Sequence, residues 1–252
     1  MKIAFQIAMF SAVYGTSFGD EAQLNAITAF HEVTFDRSEK KIHISLAVFA
    51  EKQFDLRVIS NAGINDNPRF ESLEKAMSSL GCVAGCNGGF FNRHPFEPVG
   101  LLLTDGQSAG KFDPASWMSG LLVIRRDRIS LEPANSYTSP PTDAVSVLQS
   151  GSWLVQDGHS EMTMDNRRLA PRTFICHDGH GLWAIGASEE CTLHELATAL
   201  RGSALIKILD VKYALNLDGG PSTGLWVKTK GGAIVYLREQ WPVRDYVGII
   251  PK

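Results

Sequence analysis

The run Asn216-Leu217-Asp218-Gly219-Gly220-Pro221-Ser222-Thr223 gathers a carboxylate, a carboxamide and two hydroxyls around a Gly-Gly pair. It follows Tyr213-Ala214-Leu215, which reads as a short buried strand. Gly-Gly permits positive φ and leaves no Cβ between backbone and ligand. Successive N–H groups in such a turn can form an anion-binding nest. Asp218 can therefore face a polar substrate while a sheet holds it. The same letters also spell an ordinary strand-to-turn junction, since D-G and G-G are common turn dipeptides. Other polar clusters fall at expected strand ends: Asn87-Gly88-Gly89, Gln149-Ser150-Gly151, Arg172-Thr173 and Ser188-Glu189. Converging on one face, they would hold a hydroxyl-rich or anionic ligand. Arg172 can clamp a phosphate bidentately, and Asp218 with a further acid supplies carboxylate chemistry.

Other chemistries lack their residues. The chain has no G-x-x-x-x-G-K-[ST], no G-x-G-x-x-G between strand and helix, no G-x-S-x-G and no His-Glu-x-x-His. His177 and His180 stand beside one acid on a tight hairpin and read as turn residues rather than a metal pair. The four cysteines lack C-x-x-C spacing, so no zinc site is expected. In a strand, Cys82 and Cys86 would lie about 13 Å apart, beyond disulfide reach. Buried free thiols are the expectation, and no cofactor or metal is implied.

The elements that must position these clusters are mostly strands. Glu32–Phe35, Lys41–Phe49 and Asp55–Ile59 alternate with period two. Further strands are expected over residues 83–91, 99–103, 119–124, 144–151 and 153–155, and a hairpin pairs residues 172–177 with 182–186 across Asp178-Gly179-His180-Gly181. Asn67-Pro68 predicts a helix start, with Leu73, Ala76, Met77 and Leu80 on one face and Gly81 as the stop. Thr192-Leu193-His194-Glu195 matches a capping box, and Leu193, Leu196, Ala197 and Leu200 form the next apolar face, which the stretch Leu205 to Leu209 extends after a break at Gly202. Residues 131–143 read as a loop, and Arg125-Arg126-Asp127-Arg128 as a solvated strand end or turn. Many strands with few helices and no strict βα alternation predict an α+β fold, largely antiparallel sheets packed with a few helices in a single domain.

A chain of 252 residues, 44% apolar and 20% charged, can bury a sizeable core. A net charge of −3 without a basic block argues against a nucleic-acid partner. At the N-terminus Lys2 precedes the apolar run Ile3 to Val13, then Ser17-Phe18-Gly19. One cation, a short apolar run and small residues at −3 and −1 predict a signal peptide over residues 1–19. The domain then covers 20–252 in the periplasm or outside the cell, and the run is too short to leave a membrane span.

In their order, Asn87-Gly88-Gly89-Phe90-Phe91, Pro98-Val99-Gly100-Leu101 with Asp105-Gly106, Gln149-Ser150-Gly151, Pro171-Arg172-Thr173, Ala184-Ile185-Gly186-Ala187-Ser188-Glu189 and Asn216 to Thr223 resemble the phosphodiester glycosidase domain family. The bacterial periplasmic branch, associated with exopolysaccharides, looks closer than the animal one. The resemblance spans roughly residues 30–250. It implies hydrolysis of the glycosidic bond of a sugar-1-phosphodiester in an envelope or exopolysaccharide glycan, with a phosphorylated carbohydrate as the substrate. Asp218, Arg172 and Glu189 would be the catalytic residues. Asn87, Gly88, Gly89, Gln149, Ser150, Thr173, Asn216, Gly219, Gly220 and Ser222 would bind substrate. Glu189 matches a Ser-acid pair of the bacterial branch; Glu97 stands near a motif without matching it. Pro221 departs from the family loop and removes an N–H from any phosphate cradle. Ser152 replaces the usual Pro, and Trp241 to Gly248 follows the closing strand only loosely. These departures motivate an alternative, a non-catalytic module that binds phosphorylated glycans.

Overall fold

A computed structural model describes residues 29–37, 40–160 and 166–252. The expected signal peptide, residues 1–19, lies outside the described residues. Three main sheets carry the fold, and every strand pairing among the described residues is antiparallel. The large sheet has seven strands in the spatial order Ala29–Arg37, Lys40–Ala50, Leu182–Cys191, Ala170–His177, Tyr213–Asn216, Trp153–Gln156 and His159–Ser160. A second sheet of five runs Ile129–Pro133, Gly120–Ile124, Ser146–Ser150, Leu102–Thr104 and Gln107–Ala109. The third, also of five, runs Ile234–Leu237, Leu225–Lys228, Ala84–Asn87, Asp245–Pro251 and Phe54–Ser60. With few helices beside them, this is the α+β fold the sequence predicts.

The period-two patterning decides what each face meets. Ala47, Phe49, Ile175, Ile185 and Leu215 of the large sheet turn inward to Leu122 and Leu148 of the second sheet and to Ala84, Cys86, Val247 and Ile249 of the third. The alternate residues Ile42, Ile44, Phe174, Ala184 and Ala214 face the opposite way, onto Leu196, Ala197 and Leu200 of the helix Leu193–Leu200. Thr192 caps that helix as the sequence predicts: its hydroxyl accepts from Glu195 N at 3.1 Å while the Glu195 carboxylate accepts from Thr192 N at 2.8 Å. The third sheet is covered on its outer face by the helix Leu73–Ser79, with Met77 over Gly85. A Cβ at Gly85 would lie 2.0 Å from the Met77 sulfur, so the close helix–sheet approach needs glycine there.

Some local expectations are corrected. The cap of the helix Leu73–Ser79 is Ser72, which accepts from Lys75 N at 3.2 Å; Pro68 instead bridges to Ala62 as extended chain. Ser203–Ile206 is a separate short helix. The stretch 131–143 begins as strand, through Pro133. Arg126, Asp127 and Arg128 are exposed in the bend as expected, while Arg125 at the strand end is a half-buried clamp, donating to Glu132 at 2.6 Å and to Asp143 at 2.7 Å. All four cysteines are buried, and Cys82, Cys86 and Cys176 are free thiols. No helix among the described residues is long and apolar enough to cross a membrane.

Candidate active site

The polar strand ends meet where the large and third sheets approach. Asn87 closes the strand Ala84–Asn87, and its side chain joins three segments. Nδ2 donates to the Asp218 carbonyl at 2.7 Å, while Oδ1 accepts from the Thr173 hydroxyl at 2.7 Å and from Gly224 N at 3.0 Å. Asn87 thus spends its amide oxygen and one amide N–H within the protein. Gly88 continues the strap: its N–H donates to the Asp245 carbonyl at 2.9 Å and its carbonyl accepts from Asp218 N at 3.0 Å. Gly89 N then donates to Asp245 Oδ1 at 2.7 Å. One tripeptide, Asn87-Gly88-Gly89, therefore fastens two aspartates. Glycine at position 88 is obligatory, because a Cβ would fall 1.9 Å from Asp245 Oδ1.

Asp218 is half-buried just beyond the strand Tyr213–Asn216. Burial pushes its carboxyl up to about 6, against the stabilising pull of the Ser222 hydroxyl, the Gly219 N–H and the Arg168 charge. Gly219 N donates to Asp218 Oδ1 at 2.9 Å, so this amide faces the carboxylate. Gly220 takes φ +62° and opens a single tight turn in which Ser222 N and Thr223 N donate to the carbonyls of Gly219 and Gly220. Asp245 is 1% exposed. Burial raises its pKa to about 7, opposed by Gly89 N–H and Arg244 and assisted by repulsion from Asp218.

Among the described residues three buried side-chain oxygens have no hydrogen-bond partner: Asn216 Oδ1, Thr223 Oγ1 and Asp245 Oδ2. Buried polar atoms are rarely left so. Asn216 Nδ2 is occupied, donating to the Gly151 carbonyl at 2.9 Å. Ser150 donates to the Asn216 carbonyl at 2.9 Å and fixes this strand end from below.

Other predicted residues stand one step away. Arg172 is buried beside Gly219, and its guanidinium donates to the carbonyls of Cys191 at 3.1 Å and Arg168 at 2.5 Å. The cation whose charge acts on Asp218 is the exposed Arg168. Gln149 is buried, with Oε1 accepting from Asp113 N and Leu101 N, and Nε2 donating to Asp113 O at 2.6 Å and Met118 O at 3.0 Å. It organises the segment 113–118. Glu189 is exposed on the opposite face of its strand from Ser188 and accepts from His43 N at 3.5 Å, so it is not brought beside Asp218. His177 is stacked between Trp183 and Tyr213, and burial lowers its pKa to about 4.

Sequence reasoning missed Asp245 and Arg168. The signal for Asp245 was present: an acid beside Arg244 at the head of the apolar run from Tyr246 to Ile250, where a buried carboxylate demands a reason. A cavity of about 550 Å³ lined by Arg57, Arg125, Asp127 and Lys252 among others includes none of these clustered residues.

Comparison with known proteins bears on this geometry. No curated protein sequence matches the chain. Among solved structures it is similar to the zebrafish N-acetylglucosamine-1-phosphodiester alpha-N-acetylglucosaminidase catalytic domain auto-inhibited by its pro-peptide. The TM-score is 0.65 at 16% identity, covering 89% of this chain and 83% of that one. It is also similar to a hypothetical protein from Synechocystis, with a TM-score of 0.56 at 15% identity, covering 90% of this chain and 62% of that one. At such identities these likenesses establish the fold. The family model for phosphodiester glycosidase (NAGPA) matches residues 80–250, a stretch holding Asn87, Arg172, Asp218 and Asp245. By that match the chain belongs to the phosphodiester glycosidase family.

Proposed function

We propose that the protein hydrolyses the glycosidic bond of a sugar-1-phosphodiester, releasing a sugar and a phosphomonoester. The observation that carries this reading is Asp218: a half-buried carboxylate with a raised pKa, fixed by Asn87, Gly88 and Gly219 beside an exposed arginine. Carboxylates perturbed by burial and a named charge are the usual equipment of catalytic sites. A phosphomonoester is a good leaving group, so little general-acid help is required. Above pH 6 Asp218 is ionised and acts at the anomeric carbon or on the water that attacks it.

Arg168 meets the charge growing on the departing phosphate, and Arg172 positions it by holding its carbonyl. Asp245 stays out of contact with substrate and fixes Gly89, as a positioning residue. Export by the expected signal peptide makes an envelope or exopolysaccharide glycan the natural substrate.

The binding-module reading draws on Gly219 N, which faces Asp218 rather than a ligand, and on Pro221, which offers no N–H. Turnover separates the two. Wild type should cleave methyl phosphodiesters of sugar 1-phosphates, with Asp218→Asn folded but slower by two or more orders of magnitude. Equal rates in the variant, or binding without product in wild type, refute the hydrolase reading.

A further inference from the structure

Trp117 stands apart from the tryptophans that fill the core. Trp153, Trp183 and Trp226 are 5%, 1% and 2% exposed, whereas Trp117 is 57% exposed. A single exposed apolar residue is ordinary on a protein surface. This one is held in place. Its ring meets Phe90 edge to face, with centroids 4.7 Å apart and an interplanar angle of 73°. The segment carrying it is fastened at both ends by Gln149, which bonds Asp113 N, Asp113 O and Met118 O. Within the segment, Asp113 Oδ1 accepts from Ala115 N at 3.0 Å and Ser116 Oγ from Met118 N at 3.1 Å. A flexible loop tip would carry few of these bonds.

The location is equally specific. Phe90 directly follows Gly89, the residue that holds Asp245. The Trp117 carbonyl presses on Gly151, where a Cβ would lie 2.9 Å from it, and Gly151 in turn accepts from Asn216. In the large sheet the strand leading to Asp218 runs between Ala170–His177, which carries Arg172, and Trp153–Gln156, which Gly151 precedes. Cations thus lie on one side of Asp218 and the aromatic pair on the other.

We infer that Trp117, braced by Phe90, is a stacking platform for a pyranose ring on the glycone side of the scissile bond. The face of an aromatic ring carries partial negative charge. The axial C–H bonds on the apolar face of a pyranose meet it favourably and leave the hydroxyls at the rim of the ring. The inference rests on the glycosidase reading of the same site and adds where the sugar lies and what recognises it. Gln149, expected to bind substrate, instead acts by holding this platform.

The test uses methyl phosphodiesters of glucose, galactose, mannose and N-acetylglucosamine 1-phosphate. Titrated into the full chain, at least one should change Trp117 emission saturably, and Trp117→Ala should abolish that change with its melting temperature intact. Where wild type turns the probe over, Trp117→Ala should raise KM about fivefold to tenfold with kcat nearly unchanged, and Trp117→Phe should recover most of it. A saturable change without turnover upholds the platform while refuting the hydrolase reading. Turnover with an unchanged KM in Trp117→Ala, or no emission change with any of the four probes, overturns the platform.

Discussion

Replacing Asp245 with Asn should make the protein more stable at alkaline pH, and by a calculable amount. Asp245 ionises near 3.8 as an ordinary carboxyl and near 7 in the fold, chiefly because it is buried. Between those values the folded chain keeps a proton that the unfolded chain has released. Raising the pH through that window therefore removes stability, and the loss is complete above about pH 7. Each pH unit between the two pKa values corresponds to about 1.4 kcal/mol. From pH 5 to pH 8 about two such units are crossed, giving ~3 kcal/mol.

Asn preserves the acceptor that takes the Gly89 N–H bond and sets an amide where Oδ2 has no partner. At pH 5 the folded wild type still holds its proton and places a similar unpartnered donor there, but its unfolded chain is already about one unit past 3.8, so the variant leads by about 1–2 kcal/mol. At pH 8 the variant escapes the buried charge. Urea denaturation at the two pH values reads this as a midpoint gap that opens by about 1 M. Arg244, Asp218, Cys86 and Tyr246 share this electrostatic neighbourhood, so the comparison is between variant and wild type at each pH. A gap that is unchanged or narrower at pH 8 would refute the assignment of Asp245 as a buried, proton-holding acid.

Other consequences follow from the same geometry. The hydrolytic rate should rise with pH through about 6 as Asp218 loses its proton, so a rate profile already flat from pH 4.5 upward contradicts its role. Gly88→Ala should cost several kcal/mol or abolish folding, since the new Cβ meets Asp245 Oδ1 at 1.9 Å; a thermal melt within a few degrees of wild type would show that the strap gives way. Leu196→Ala should lose about 2–5 kcal/mol by opening the interface between the helix Leu193–Leu200 and the large sheet, read by denaturant unfolding.

Much of this was legible in the sequence, for local reasons. The capping box at Thr192 and the hairpin between residues 172–177 and 182–186 depend on neighbours along the chain, and both form. The clusters at Asn87, Ser150, Thr173 and Asn216 were visible as polar strand ends, and their hydrogen bonds join them at one locus. Illegible were partners fixed only by the fold. Gln149 and Arg172 look like ligand-binding side chains, yet each is drawn to backbone carbonyls brought near by packing. Asp245 was hidden because a strand pattern announces what is apolar and is silent on what a single acid within it will face. At Asn67-Pro68 a sound local start signal lost to Ser72, because extended backbone pairing with Ala62 claimed Pro68 first.

The central claim concerns which bond breaks, and isotope placement decides it. Hydrolysis of a sugar-1-phosphodiester by the wild-type protein in ¹⁸O-water, with mass analysis of the released phosphomonoester, reads the position of attack. Cleavage at the anomeric carbon puts the label in the sugar and leaves the phosphomonoester unlabelled. Label in the phosphomonoester would mean attack at phosphorus, and would contradict the glycosidase account built on Asp218.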